Sequence, residues 1–229
     1  RLLMFAALGL VINAVIFLLV AFTGWVWLYL AAVPFSLLHL VGLIITLQVD
    51  RTPYSPGASD NASAVATVLT LAEHLVRQPL RHTELWFLFS GCEEVGCYGM
   101  RAFIEANRDE LGDALFIDYE MVAQGEPGIL THEGLLTRVA YDPELIQLAA
   151  DAAAAAWRPA HFKIGEAYGE SVISHNAGYR SITVNAMLPE TGEPVAWHRP
   201  DDDMRVVDQA TLGHVVAWGL EILRRIDDS

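Results

Sequence analysis

Apolar side chains dominate the start of the chain, and from Leu2 to Val49 there is no Asp, Glu, Lys or Arg. A helix that crosses a membrane needs about 20 mostly apolar residues. The stretch holds two such helices, Leu2 to Phe22 and Trp25 to Leu47, with a break at Thr23-Gly24. We therefore predict a transmembrane helical hairpin over residues 1–49, which would make the chain an integral membrane protein in contact with the lipid bilayer.

Two other interpretations of the apolar stretch fit less well. A signal peptide is shorter and ends in a small-residue cleavage site after one apolar core. A buried hairpin in a soluble protein should show a polar face that repeats along each helix. A hairpin returns its ends to one side, so we expect Arg1 and the Asp50-Arg51 pair to share a membrane face. Loops with so few Lys and Arg leave open which face that is.

Short apolar runs and helical patterns alternate along residues 50–229. The runs TELWFLFS (83–90), ALFIDYEMV (114–122) and YRSITVNAML (179–188) predict buried strands. Apolar residues recur at helical spacing in SAVATVLTLAEHLV, GMRAFIEANRDEL, DPELIQLAADAAAAAW, SVISHNAG and VVDQATLGHVVAWGLEILRRI. This alternation predicts an α/β fold, a three-layer sandwich around a mostly parallel central sheet.

The net charge and the cysteine content limit the classes of partner and fold that the chain can have. The formal net charge of -14 argues against nucleic acid as a partner. The two cysteines, Cys92 and Cys97, form no disulfide framework and leave the redox compartment open. Both flank the pair Glu93-Glu94, and we interpret them as small residues packed near a turn.

Acidic residues and one histidine fall in four loops at the ends of predicted strands. An open α/β sheet places its site in the crevice beyond the carboxyl ends of its strands. Oxygen and nitrogen ligands together suit zinc or a similar divalent ion. Such a cation would also offset the repulsion between Glu93 and Glu94. The candidate residues are Asp60, Glu93, Glu94, Asp118, Glu120 and His198.

Four motifs occur in the order and approximate spacing found in the M28 zinc peptidases: SPGASDNAS, FSGCEEVGCYGM, YEMV and WHRPDD. The chain resembles that family, which includes co-catalytic di-zinc aminopeptidases, from about Ser55 to its C-terminus. A membrane hairpin before the SPGASDNAS loop is also similar to some bacterial members. The resemblance implies a zinc-exopeptidase-like fold, so residues 50–229 are predicted to be an M28-like zinc peptidase domain whose N-terminal strands are missing from this sequence.

The resemblance also implies a role for each matching residue. Asp60 matches the aspartate that bridges two zinc ions. Glu93 matches the general base, and Glu94 matches a ligand of the second zinc. Glu120 matches a ligand of the first zinc, although many relatives carry Asp there. His198 matches the histidine ligand of the second zinc.

Two positions have rivals. Asp118 competes with Glu120, because alternate strand residues share a face; the family acid directly precedes the Met, which favours Glu120. In the family an aspartate supports the histidine ligand, as carboxylates beside metal ligands do. We assign that role to Asp201, with its neighbour Asp202 as the rival.

One family residue is missing. The family carries a histidine two residues before an aspartate, ahead of the SPGA loop, and that histidine completes the first zinc site. No such pair precedes Ser55. His39 lies in the apolar hairpin, where burial in lipid would make it a poor metal ligand. We expect truncation, with the histidine upstream of Arg1 and two Zn²⁺ ions in the complete protein.

Three functions are therefore compared. The first is a membrane-anchored zinc aminopeptidase or related exopeptidase acting on peptides. The second is a glutaminyl cyclase-like acyltransferase, since those enzymes resemble M28 peptidases and use one zinc. The third is a non-catalytic M28-like ectodomain. Side-chain preference and oligomeric state are not predicted.

Overall fold

The computed structural model describes residues 2–48, 51, 53–134, 137–157, 160–165 and 167–229. The chain divides into two compact units, Arg1–Tyr54 and Ser55–Ser229. The predicted boundary between residues 49 and 50 lies outside the described residues, as do Arg1 and Asp50, whose shared membrane face therefore stays a prediction.

The first unit consists of helix α1 (Leu2–Thr23), a short 3-10 turn (Val26–Leu28) and helix α2 (Tyr29–Gln48). The two predicted helices and the break between them are confirmed. Both helices are long and apolar enough to cross a membrane, by length and composition. His39 Nε2 lies 2.9 Å from the carbonyl oxygen of Ala6, so this histidine is engaged inside its own unit.

The second unit contains five helices and five strands among the residues that the structure describes. After a π-helical turn (Ala58–Ala62) come α3 (Ser63–Arg77), α4 (Tyr98–Leu111), β1 (Leu115–Glu120), β2 (Glu126–Glu133), β3 (Val139–Ala140), α5 (Pro143–Ala156), β4 (His161–Ile164), α6 (Glu170–Asn176), β5 (Arg180–Met187) and α7 (Gln209–Asp227). The predicted α/β class is confirmed.

The sheet is mixed rather than strictly parallel. Its order is β1-β5-β2-β3, and β4 also pairs with β2. The pairs β1–β5 and β2–β4 are parallel, whereas β2–β5 and β2–β3 are antiparallel. A connection of a few residues, as between β2 and β3, allows only antiparallel pairing, because a parallel crossover needs a dozen or more.

Helices cover both faces of the sheet. One face packs against α3, α5 and α7 around Ile129, Ile182 and Trp218, all fully buried or nearly so. The other face carries a smaller cluster under α4 and α6 that includes Met100 and Ile173. Burying such large apolar side chains is the main favourable term in folding.

The strand predicted for residues 83–90 does not form. Leu85 and Leu88 pack against the two apolar clusters, but Trp86, Phe87 and Phe89 keep 36% to 49% of their surface exposed. An apolar run predicts burial, whereas a strand also requires a neighbouring strand to pair with. Conversely, β2 is not predicted by the sequence pattern, because Pro127 and Gly128 interrupt it.

Candidate metal centre

Three of the predicted ligands converge in the second unit. Atoms of Asp60, Glu94 and His198 that can bind a metal lie within 4.8 Å of one another. His198 Nε2 is 3.0 Å from Glu94 Oε1 and 3.3 Å from Asp60 Oδ2. Asp60 is partly buried, whereas more than half of each of the other two side chains is exposed. The cluster therefore opens to solvent on the side of Glu94 and His198.

Asp60 is held in place by a buried carboxylate. Asp202 is completely buried, and its two oxygens accept hydrogen bonds from the backbone N–H groups of Ser59 (2.6 Å) and Asp60 (3.0 Å). The Asp202 carbonyl accepts a third, from the N–H of Ala58 at 3.1 Å. Charge-assisted hydrogen bonds of this kind are the stronger ones. They tie the segment after His198 to the loop that carries Asp60.

Asp201 and Asp202, the two candidates for the supporting aspartate, lie in different surroundings. Asp201 lies at the surface, where both of its oxygens bond Arg199. The buried partner is Asp202, and it fixes Asp60 rather than the histidine. Asp201 bonds Arg199 and Asp202 bonds the loop of Asp60, so the support of His198 by either aspartate stays a prediction. Adjacent residues face different surroundings, and the sequence does not reveal which one is enclosed.

Asn61 connects Asp60 to the end of β1. Its Nδ2 donates to Glu120 Oε2 at 2.9 Å, and its Oδ1 accepts the N–H of Met121 at 3.1 Å. Glu120 thus lies beside the Asp60 loop, although it is not one of the three converging ligands. Asp118 lies two residues earlier on β1, and its Oδ2 is buried without a hydrogen-bond partner.

Glu93 and Glu94 lie in the tight turn that leads into α4. The Glu93 carbonyl oxygen accepts hydrogen bonds from the backbone N–H groups of Gly96 (2.8 Å) and Cys97 (2.9 Å). Glycine is required at position 99, because a Cβ there would come within 2.5 Å of the Gly91 carbonyl oxygen. Glu93 Oε1 accepts the Cys97 thiol, with 3.6 Å between sulfur and oxygen. The turn therefore gives the adjacent carboxylates different partners.

Backbone strain concentrates in the site loops. Among the described residues, the non-glycine positions with positive φ are Cys92, Cys97, Met121, Ala196 and His198. Such conformations cost about 1–3 kcal/mol each and persist where the surrounding structure holds them. They occur in the three segments that carry Glu93-Glu94, Glu120 and His198.

Electrostatics within the site disfavour charge on the carboxyl groups. Burial, and then the charge of Glu94, raise the pKa of both Asp60 and Glu93. Burial, and then Asp118 and Asp60, raise the pKa of Glu120 well above its ordinary value. Shifts of this kind are typical of functional sites. A bound cation would relieve the repulsion, because an opposite charge nearby favours the ionised form of a carboxyl group.

The donor set fits zinc. Two carboxylates and one imidazole match the ligand types that zinc takes in catalytic sites, where three protein ligands leave a further position open. The solvent-exposed side of the cluster supplies access for such a position. Glu120 is a further carboxylate next to the Asp60 loop.

The sequence pattern of peptidase family M28 matches residues 43–222, more than half of the chain. The chain belongs to peptidase family M28. This M28 chain is 39% identical over 89 residues to the probable lipoprotein aminopeptidase LpqL of Mycobacterium tuberculosis, covering 38% of this chain and 18% of LpqL.

Solved structures share the M28 fold. A zinc aminopeptidase from Bacillus subtilis superposes with a TM-score of 0.64 at 22% identity, over 75% of this chain and 43% of that one. A glutaminyl cyclase from Bacteroides thetaiotaomicron, bound to N-acetylhistamine, superposes with a TM-score of 0.56 at 24% identity, over 73% and 63%. The chain spans under a fifth of LpqL and under half of the zinc aminopeptidase.

Three residues that shape the site of this M28 chain are not among its predicted ligands and base: Asn61, Cys97 and Asp202. Asn61 lies inside the SPGASDNAS motif, next to the predicted ligand Asp60. The sequence predicts Cys97 as a packing residue. It predicts Asp202 as the rival of Asp201 for the aspartate that supports the histidine ligand. Asn61 and Asp202 have their partners on other segments of the chain, whereas the thiol of Cys97 contacts Glu93, four residues earlier in the same turn.

Proposed function

We propose that this M28 protein is a zinc-dependent aminopeptidase. The observation that carries the proposal is the convergence of Asp60, Glu94 and His198, with Glu93 beside them as a carboxylate that is not one of the three. The similarity to LpqL, a probable lipoprotein aminopeptidase, supports the same activity. We further propose that residues 1–49 anchor the enzyme in a membrane and that residues 50–229 form the peptidase domain.

Asp60, Glu94 and His198 would hold one zinc ion, and Asp60 and Glu120 would contribute to a second. Zinc in this position supplies a Lewis acid, which acidifies water and polarises the scissile carbonyl. Glu93 would accept the proton of the attacking water and return it to the departing amine. Asp202 keeps Asp60 in place while this happens, and the open side of the cluster admits the peptide.

The test is hydrolysis of aminoacyl-anilides by the full-length protein in detergent with added zinc. We expect chelator-sensitive hydrolysis that Glu93→Gln reduces by about 10²–10⁴-fold, the usual contribution of a general base. Zinc content should be unchanged, since Glu93 is not a proposed ligand. The control is Glu105→Gln, an exposed glutamate on α4 that should retain wild-type activity.

Substrate variants separate the alternatives. N-acetylated anilides should resist hydrolysis if the enzyme requires a free amino terminus. Pyroglutamate formed from peptides that begin with Gln would instead indicate the cyclase activity. A protein that binds zinc but transforms neither substrate class would favour the non-catalytic ectodomain. Wild-type hydrolysis rates in Glu93→Gln would remove Glu93 as the base.

A further inference from the structure

Cys97 is completely buried at the start of α4, where it contacts Glu93, the Tyr168 carbonyl and the apolar cluster that includes Met100. Among the described residues its thiol has two acceptors within reach, Glu93 Oε1 at 3.6 Å and the Tyr168 carbonyl at 3.7 Å, and its single proton can bond one of them at a time. We propose that Cys97 is a positioning residue whose S–H group holds the Glu93 carboxylate in the orientation that proton transfer requires. This inference rests on the proposed function, because it assumes that Glu93 is the base.

Two hydrogen bonds connect Cys97 to Glu93. Besides the thiol contact, its backbone N–H donates to the Glu93 carbonyl at 2.9 Å. The residue has a φ of 54°, in the left-handed region that non-glycine residues rarely adopt. Two bonds to one residue and a strained backbone restrict both ends of the contact. The Glu93 side chain is therefore fixed relative to its own turn.

The thiol keeps its proton and remains a donor. Burial, and then the charges of Glu93 and Glu170, raise the pKa of Cys97 to about 12. A thiol is a weak donor, but an ionised carboxylate strengthens any hydrogen bond that it accepts. A serine or threonine at this position would donate similarly, whereas an aliphatic residue would fill the space without donating.

A buried network fixes the surroundings of the thiol. Gly169 follows Tyr168 directly, and its N–H donates to Glu133 Oε1 at 2.9 Å. Glu133 is 3% exposed, and its other oxygen accepts the Tyr141 hydroxyl at 2.6 Å. These bonds hold the Tyr168 carbonyl against the sulfur. The thiol therefore has defined acceptors on both sides.

Packing is the competing explanation for Cys97. The residue belongs to the apolar cluster that includes Met100, Ile104 and Ile173. A packing role depends only on the volume of the side chain, whereas positioning depends on the donor. Ser and Ala both lose the sulfur, but only Ser can still donate to Glu93. The pair Cys97→Ser and Cys97→Ala therefore separates the two roles.

The first test is spectroscopic and needs no activity. The chain has two cysteines, so Cys92→Ser leaves Cys97 as the sole thiol. Its S–H stretching band should be strong and lie at low frequency, as expected for a hydrogen-bonded thiol. Adding Glu93→Ala should move the band to higher frequency, because the carboxylate acceptor is gone. A band that does not move would overturn the proposal.

The second test is kinetic. One hydrogen bond contributes about 0.5–1.5 kcal/mol, so Cys97→Ala should lower kcat roughly 2- to 12-fold without changing KM or zinc content. Cys97→Ser should recover most of that loss. Equal losses in the two variants would assign Cys97 to packing and overturn the proposal. If the wild type hydrolyses nothing, the proposed function fails, and the infrared band still decides whether Cys97 holds Glu93.

Discussion

Asp202 offers the sharpest test of how the site is built. Asp202→Asn keeps the size and shape of the side chain but replaces one carboxylate oxygen by an NH₂ group. That group would face a backbone N–H instead of accepting from it, so one of the bonds to Ser59 and Asp60 is lost. A hydrogen bond to a charged group contributes about 1.5–3 kcal/mol. We expect the free energy of unfolding of the peptidase unit to fall by about that amount.

Asp202→Asn should also change the affinity of the site for zinc. Loss of a carboxylate that orients a ligand typically lowers metal affinity about 10–100-fold. An opposing effect exists, because the charge of Asp202 raises the pKa of Asp60 and its removal would favour the ionised ligand. That charge is the weakest of the named influences on Asp60. The loss of position should therefore dominate, and zinc affinity should fall.

The assays are thermal unfolding and zinc titration against a competing chelator, with Asp201→Asn as the control. A change of 2 kcal/mol shifts the Tm of a domain of this size by about 4–8 °C. Asp201 is exposed, so its variant should stay within about 0.5 kcal/mol of the wild type. Equal Tm and zinc affinity in the two variants would refute the idea that Asp202 positions Asp60.

Three further predictions follow from the same structure. His198→Ala should reduce the zinc bound per chain, while the exposed His132→Ala should not; unchanged zinc content would contradict the ligand assignment. Hydrogen bonds from Thr211 hold the pKa of Asp208, the N-cap of α7, below its ordinary value of 3.8. Asp208→Ala should therefore cost about 1 kcal/mol at neutral pH, and this difference should vanish as urea titrations move below the depressed pKa; a constant difference would argue against the cap. Trp218→Phe should cost about 1–3 kcal/mol, because it removes the hydrogen bond from the indole to the Ala149 carbonyl and part of a fully buried side chain; an unaltered unfolding midpoint would contradict this.

The sequence alone determined the features that depend on neighbouring residues. The two apolar helices and the helices α4, α5 and α7 follow from periodicity within a short window. The motifs also located Asp60, Glu94 and His198, which the structure brings together. Local pattern suffices for these features because their stabilising contacts lie within a turn or two of the chain.

Only the tertiary structure decided the features that depend on distant partners. Asp202 and Asp60 are 142 residues apart in the chain, and nothing in the run Asp201 to Asp203 reveals which carboxylate meets the Asp60 loop. Residues 83–90 have the composition of a strand, but composition does not supply the neighbour that a strand needs. Hydrogen-bond partners are chosen by the folded arrangement of separate segments, which residue type alone does not encode.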